Sequence, residues 1–171
     1  MALNLRRHWA YCKYLVRHKW CVFRACLRTG AGPWCGLVHD LSKLLPDEWY
    51  PYARAFYAPD GAQEYLSSDE FDEAWRNQRR NRHHWQYWTL FEDRGGIRAL
   101  WMPDVFVREM VADWIGAGQA LGKPDARLWY RVNRDNMMLA PSVRAQVERL
   151  LEDYYRRFPC QSNETNVGTS R

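Results

Sequence analysis

Apolar side chains recur at steps of three and four along the N-terminal part of the chain, which is the period of an α-helix. One apolar line consists of Leu5, Trp9, Cys12, Val16, Trp20, Phe23 and Leu27, and a second of His8, Tyr11, Leu15, His18 and Val22. Because apolar positions cover much of the circumference, we expect this helix to be buried among other helices. Gly30 is a natural residue to end it.

Similar periods predict helices along the rest of the chain. A short helix passes through His39-Asp40 and stops before Pro46, because a proline disfavours helix in the residue ahead of it. The other predicted helices begin at Pro46, run from a Ser67–Glu70 capping box to about Phe91, from Pro103 to Gly122, from Pro124 to Leu139 and from Pro141 to Phe158. Loops are expected at 58–66 and around Gly95-Gly96.

No stretch of the sequence has the period of a strand, and neither an internal repeat nor a Gly-rich nucleotide loop is present. The sequence therefore predicts an all-α protein, a compact single-domain helical bundle over residues 1–158. Residues 159–171 are polar and aperiodic, which is typical of a disordered tail.

The composition of the chain indicates which kinds of ligand and partner it can be expected to bind. The 171 residues carry a net charge of +5, mostly from arginine, which favours anionic ligands such as nucleotides or nucleic acid. Five cysteines without a CxxC pair argue against a zinc ribbon or a disulfide framework. No apolar run is long enough to span a bilayer and no secretory signal is apparent, so we expect a cytoplasmic protein without a membrane partner. Ten Trp and ten Tyr make a homo-oligomer credible.

The dipeptide His39-Asp40 is the first candidate for chemistry. An imidazole next to a carboxylate suits a divalent ion, although most such pairs are ordinary capping or surface residues. His18 lies on an apolar helix face and is by itself more typical of a hydrogen-bonded core histidine. Asp113 is flanked by apolar residues, and a buried carboxylate needs a partner or a metal.

The pattern H…HD…D in an all-helical chain resembles the HD-domain superfamily of metal-dependent phosphohydrolases. The matching segments are His18-Lys19, His39-Asp40-Leu41-Ser42-Lys43, Asn81-Arg82-His83-His84-Trp85 and Glu109-Met110-Val111-Ala112-Asp113-Trp114. Together they resemble a small HD-like family of phages and bacteria. The resemblance implies one divalent ion (Mn, Mg, Co, Ni, Zn or Fe) held by His18, His39, Asp40 and Asp113.

The chemistry of neighbouring residues, and for Glu48 its place in the sequence near the site, suggest further roles. A metal-activated water is the expected nucleophile. Lys43 and the clamp Arg79, Arg80 and Arg82 are expected to bind the phosphate of the substrate, and Glu48 is expected to act as an acid or a base. For His83 and His84 three roles stay open: binding a second metal, transferring a proton or binding the substrate. The nucleotidase branch often carries glutamate where this chain has Lys43, and Asn77 stands where a histidine would strengthen a second metal site. A single metal is therefore favoured.

Three functions follow as hypotheses. The leading one is hydrolysis of a nucleotide or related small phosphoester. The second is an HD-type di-iron oxygenase, with His83 and His84 as extra ligands, which iron content would distinguish from a hydrolase. The third is a non-catalytic protein that keeps the fold and binds a nucleotide or nucleic acid through its arginines, with salt-sensitive affinity.

Overall fold

The computed structural model describes residues 5–57, 66 and 68–160. Over these residues the chain forms seven α-helices and one β-hairpin. The helices are α1 (Leu5–Thr29), α2 (Pro33–Val38), α3 (Pro46–Tyr57), α4 (Asp69–Gln78), α5 (Asp104–Ala120), α6 (Ala126–Asn133) and α7 (Pro141–Arg157). Strands β1 (Thr89–Phe91) and β2 (Ile97–Ala99) pair antiparallel, with Leu90 opposite Arg98. The all-α fold class is confirmed, and the hairpin is an addition that the sequence did not predict.

Helix α1 is the central element of the fold and packs against α2, α3 and α5. Two glycines permit the closest approaches. A Cβ on Gly116 of α5 would lie 2.5 Å from the Val22 side chain, and a Cβ on Gly36 of α2 would lie 2.8 Å from Phe23 Cα. The main core fills the space between α1, α5 and α7, and its fully enclosed members include Val22, Val111, Ile115 and Val147. These contacts set the positions of the residues described below.

Only one of the two apolar lines on α1 is buried, so the expectation that the helix is enclosed on most sides is wrong. The buried line includes Tyr11, Leu15, His18 and Val22. The line from Leu5 to Leu27 is largely exposed: Leu5, Trp9, Val16, Trp20 and Leu27 all face solvent. The other helices pack on one side of α1 and leave its opposite side uncovered. Thr29 ends the helix, and Gly30 follows with the left-handed φ of 79° expected of a C-terminal glycine.

The helix predicted to reach Phe91 ends at Gln78 instead. Its cap is Ser68, whose side chain accepts a hydrogen bond from the Phe71 amide at 3.3 Å, while Ser67 of the predicted capping box lies outside the described residues. Turns and a 3-10 helix (Trp85–Trp88) then lead into the hairpin, and Gly95-Gly96 forms its turn with left-handed φ values. A helix continued to Phe91 would place Asn77, Asn81, His84 and Trp88 on one face; because the helix ends at Gln78, they do not share one.

The C-terminal helices follow the prediction with shorter bounds. The segment expected as one helix to Leu139 is α6 followed by a 3-10 turn (Arg134–Asn136), and α7 ends one residue before Phe158. Most of the predicted loop at 58–66 and the predicted tail beyond Cys160 lie outside the described residues. None of the helices in the described ranges combines the length and the apolar character needed to cross a bilayer.

Candidate metal centre

Four of the five histidines converge beside α1, although they come from three separate parts of the chain. His18 projects from the middle of α1. His39 and Asp40 follow the end of α2, and His83 and His84 follow the turns after α4. These side chains meet two carboxylates of α5, as described next.

The His39-Asp40 turn is held in place by the backbone. Asp40 has a φ of 51°, and it is the one non-glycine residue among those described with a left-handed backbone. Such a conformation is uncommon and is found at functional sites when the surroundings enforce it. Lys19 of α1 donates hydrogen bonds to the carbonyls of Leu37 and His39, which ties the end of α2 to α1. The turn thereby directs both side chains toward α1 and α5.

Four ligand atoms gather at the centre of this cluster. His18 Nε2 lies 3.6 Å from Asp40 Oδ2 and 3.5 Å from Asp113 Oδ1. His39 Nε2 lies 3.4 Å and 3.3 Å from the same two oxygens. His18, His39 and Asp40 are buried, and the Asp113 side chain is 15% exposed. The structure thus brings together the four residues predicted as metal ligands.

The spacing and the donor set suit a divalent ion. Two ligand atoms that each lie about 2.1 Å from one ion are about 3.4 Å apart when the angle between them is tetrahedral. The four histidine–carboxylate separations of 3.3–3.6 Å match that value. Both ring nitrogens of His18 are buried and make no hydrogen bond to any described residue. A buried polar atom without a partner is costly, and coordination through Nε2 would satisfy one of the two.

Glu109 orients two of the histidines. Its Oε1 lies 3.1 Å from His39 Nδ1 and 3.3 Å from His83 Nδ1. A carboxylate accepts hydrogen bonds, so in both contacts the histidine Nδ1–H is the donor, and a ring that gives up its other proton to bind an ion offers the lone pair of Nε2. Burial acts to raise the pKa of Glu109, but the hydrogen bonds from His39 and His83 lower it to about 2. Glu109 therefore fixes which nitrogen each ring can offer to an ion.

Lys43 supplies a positive charge inside the cluster. Its Nζ lies 2.6 Å from Asp40 Oδ2, and its side chain is 15% exposed. Burial opposes the charge, but the nearby Asp40 and Asp113 carboxylates raise the pKa of Lys43 above its ordinary value. Burial likewise acts to raise the pKa of Asp40, and the charges of Lys43 and His39 hold it well below the ordinary value. Both groups of this pair are charged at neutral pH.

A second group of possible ligands shares Asp40. It contains Asp40, His83 and His84. Gln78 Nε2 donates to Asp40 Oδ1 at 2.8 Å and lies 3.1 Å from His84 Nε2, so the amide bridges the two residues. Burial and the neighbouring His83 lower the pKa of His84 to about 4. In this arrangement His84 Nε2 accepts a hydrogen bond from Gln78, so its lone pair is already occupied. The group of His18, His39, Asp40 and Asp113 is therefore the better formed of the two.

Gln78 and Glu109 were not among the residues predicted for this site. Gln78 is a polar residue near the end of a helix, and nothing in the sequence distinguishes it from an exposed one. Glu109 gave a partial signal, because it stands one helical turn before Asp113 in the motif quoted above. Both are buried and both hold a histidine or a carboxylate of the cluster in place.

The remaining predicted residues lie around the cluster. Glu48 is buried in α3, and this burial raises the pKa of its carboxyl. The charges of Asp40 and Lys43 also affect the pKa of Glu48. Arg79 lies over the Trp75 ring, and Arg82 lies near the rings of Tyr87 and Phe106. Arg80 is exposed. Among the described residues, the three arginines form no hydrogen bond or ion pair with the side chains of the cluster, and Asn77 donates to Asp47.

The fold and the cluster define this molecule as a helical protein with a buried histidine–carboxylate centre suited to a metal ion. The chain belongs to DUF5662, a family of unknown function whose model matches residues 7–153. The matched range contains every residue of the cluster. No curated protein and no solved structure matches the chain. The family match names no activity and lends no support to the HD-domain resemblance, which stays a prediction.

Proposed function

We propose that this protein is a metal-dependent phosphohydrolase that acts on a nucleotide or a related small phosphoester. The observation that carries the proposal is the convergence of His18, His39, Asp40 and Asp113 on one point with separations of 3.3–3.6 Å. Two imidazoles and two carboxylates suit Mn, Mg, Co, Ni, Zn or Fe and leave coordination positions for water and substrate.

Some residues of the cluster would hold the ion, and others position the side chains that hold it. A divalent ion in this centre supplies Lewis-acid activation of a water molecule and of a phosphoryl oxygen. His18, His39, Asp40 and Asp113 would hold it. Glu109 keeps the Nε2 lone pairs of His39 and His83 directed at the centre. Asp113 and His84 are the partly exposed members of the two groups, so the substrate is expected to approach from their side.

Cationic groups near the centre support a phosphoester as the substrate. Lys43 is 2.6 Å from Asp40 Oδ2, and its ammonium group could also pair with a phosphate oxygen of a bound substrate. Arg79, Arg80 and Arg82 lie on the turn that leads to His83, and they stay candidates for binding phosphate groups further from the reacting bond. A cytoplasmic location would supply such substrates, and it too is part of the proposal.

Metal analysis of the purified protein tests the proposal first. We expect about one divalent ion per chain in the wild type, a loss of that ion in Asp40→Asn, and no change in His8→Ala, since His8 is the histidine outside the cluster. The metal-loaded wild type should then release phosphate from at least one member of a nucleotide and sugar-phosphate panel, and Asp40→Asn should not. A metal-free wild type after reconstitution would overturn the proposal and leave a non-catalytic binding protein.

One observation favours a second candidate, a di-iron oxygenase. Asp40, His83 and His84 form a second ligand group that shares Asp40 with the first, so two ions could lie side by side. Two irons per chain with a visible absorption band, both lost in His84→Ala, would favour this candidate. One ion per chain that survives His84→Ala would favour the hydrolase.

A further inference from the structure

The exposed side of α1 is unusual for a soluble surface. Its large apolar side chains are Leu5, Trp9, Val16, Trp20 and Leu27, which we call the outer face of α1, and their exposed fractions range from 50% to 75%. They follow one another at steps of four and seven along the helix, so they form one continuous line. Large contiguous apolar patches on a protein surface mark interaction sites.

Positive charges flank the outer face. Helix α1 contains seven Lys and Arg residues and no acid over its 25 residues. Four of the cations, namely Arg6, Lys13, Arg17 and Arg24, are exposed and lie along one edge of the outer face, and Arg17 also donates a hydrogen bond to the Gln119 carbonyl of α5. Lys13 Nζ lies 6.0 Å from the Trp9 ring centre, so cation and aromatic ring share the same surface. A surface of this composition attracts an anionic partner.

Helix α2 extends the patch sideways. Trp34 and Leu37 are 72% and 57% exposed. Helix α2 crosses α1 at Phe23, where Gly36 is in close contact, and the Phe23 ring stacks on the Trp20 ring with their centres 6.1 Å apart. The apolar surface therefore continues from the outer face of α1 onto α2, along a helix about 37 Å long.

The charge pattern identifies the partner. A symmetric contact between two copies through α1 would bring two cationic helices together with no acid on either, which disfavours a second copy. Nucleic acid stacks on aromatic rings but gains little from exposed Leu and Val side chains. A bilayer interface accepts Trp and aliphatic side chains together, while Lys and Arg reach anionic headgroups. We propose that the outer face of α1 binds the surface of an anionic lipid bilayer without crossing it.

This inference is independent of the proposed function, because none of its residues belongs to the metal centre. It differs from the sequence-based expectation that the protein has no membrane partner, which stays a prediction. The helix would lie parallel to the bilayer plane, with Trp9 and Trp20 at the headgroup level and the centre on the opposite, buried side of α1.

Flotation of the full-length protein with phospholipid vesicles tests the proposal. We expect binding to phosphatidylcholine vesicles that contain about 30% phosphatidylserine, and at least tenfold weaker binding to pure phosphatidylcholine. Trp9→Ala/Trp20→Ala should weaken binding at least tenfold, and Lys13→Gln/Arg24→Gln should weaken it and reduce its dependence on salt. The matched control is Trp101→Ala, which removes a tryptophan that is 67% exposed outside α1. Asp40→Asn should bind vesicles like the wild type.

Three results would overturn the proposal. One is absence of binding to the anionic vesicles at low salt. Another is equal vesicle binding by Trp9→Ala/Trp20→Ala and the wild type, when circular dichroism shows that both proteins are folded. The attraction between protein and vesicle would then need no apolar contact. The third is a dimer in sedimentation velocity that Trp9→Ala/Trp20→Ala converts to a monomer, which would identify a second copy as the occupant of this face.

Discussion

Val22 and Gly116 mark the point where the two central helices of the fold come closest. A Cβ on Gly116 would lie 2.5 Å from Val22 Cγ2 and 2.6 Å from the Val22 backbone nitrogen. His18 stands four residues before Val22, and Asp113 stands three residues before Gly116. Because residues three or four apart lie on the same helix face, this crossing brings His18 Nε2 to 3.5 Å from Asp113 Oδ1. The distance between the helices therefore sets one edge of the proposed metal centre.

Gly116→Ala is expected to destabilise the protein and to open the centre. The added methyl group has no space, and overpacking of this kind costs about 1–3 kcal/mol in free energy of unfolding. Because the helices must separate, we also expect weaker metal binding. Urea denaturation and metal titration measure the two effects. Val22→Ala/Gly116→Ala should not restore the loss, because two of the three nearest atoms belong to the Val22 backbone. Full restoration would show that only the side chain is in the way.

Glu109→Gln is expected to weaken metal binding without removing a ligand. Both histidines contact the same oxygen, Oε1, and a neutral amide oxygen in its place is a weaker acceptor than the carboxylate. Loss of such an orienting partner typically costs about 10–100-fold in metal affinity. Competition with a chelator of known affinity measures the change. Glu148→Gln is the control, since Glu148 lies on α7 and contacts Tyr130 instead. Equal affinities for Glu109→Gln and the wild type would rule out the orienting role.

The metal-free protein is expected to lose stability in acid through Glu109. The pKa of its carboxyl is about 2 in the folded chain and 4.5 in the ordinary state, although burial alone would raise it. Between these values the unfolded chain binds more protons, so the free energy of unfolding rises with pH. The contribution of Glu109 is present above pH 4.5 and is lost as the pH falls toward 2. Urea titrations at several pH values should show a shallower dependence in Glu109→Gln, and identical slopes would contradict the assignment.

Lys43→Met is expected to destabilise the metal-free protein strongly. It leaves the buried Asp40 carboxylate without its nearest cation, and loss of one partner of a buried ion pair costs about 3–5 kcal/mol. Lys43→Met/Asp40→Asn should be more stable than Lys43→Met, because the uncompensated charge is then absent. Thermal and urea unfolding of the metal-free proteins provide the comparison. A double variant less stable than both single variants would show that the charge pair is not the cause.

The helices of this fold could be predicted because their apolar period is local information. The end of α1 at Gly30 and the starts at Pro46 and Pro141 depend on the residues themselves. The buried side of α1 could not be predicted, since both apolar lines fit a core and only the packing of α2, α3 and α5 selects one. The hairpin was missed because its strands have three residues each and are largely exposed, which leaves no alternating pattern.

The four candidate ligands were predicted from a motif, and the structure brings His18, His39, Asp40 and Asp113 together, while their role as ligands stays a prediction. Their supporting residues depend on tertiary contacts. Gln78 reaches Asp40 and His84 only because α4 ends there and the chain turns back, a bend that the predicted helix to Phe91 would not make. Arg79, Arg80 and Arg82 were expected within that helix, and they lie instead after its end at Gln78.

The ion pair between Lys43 and Asp40 bears on whether the chain can fold before it binds a metal ion. Many small metal centres cannot assemble before their ion arrives, because the clustered carboxylates repel one another. Here the lysine that follows Asp40 by one turn neutralises part of that charge as soon as the chain folds. If the proposed ion binds here, newly made protein can reach its final shape first and acquire the ion afterwards, and metal supply would then control the proposed activity and leave abundance unchanged.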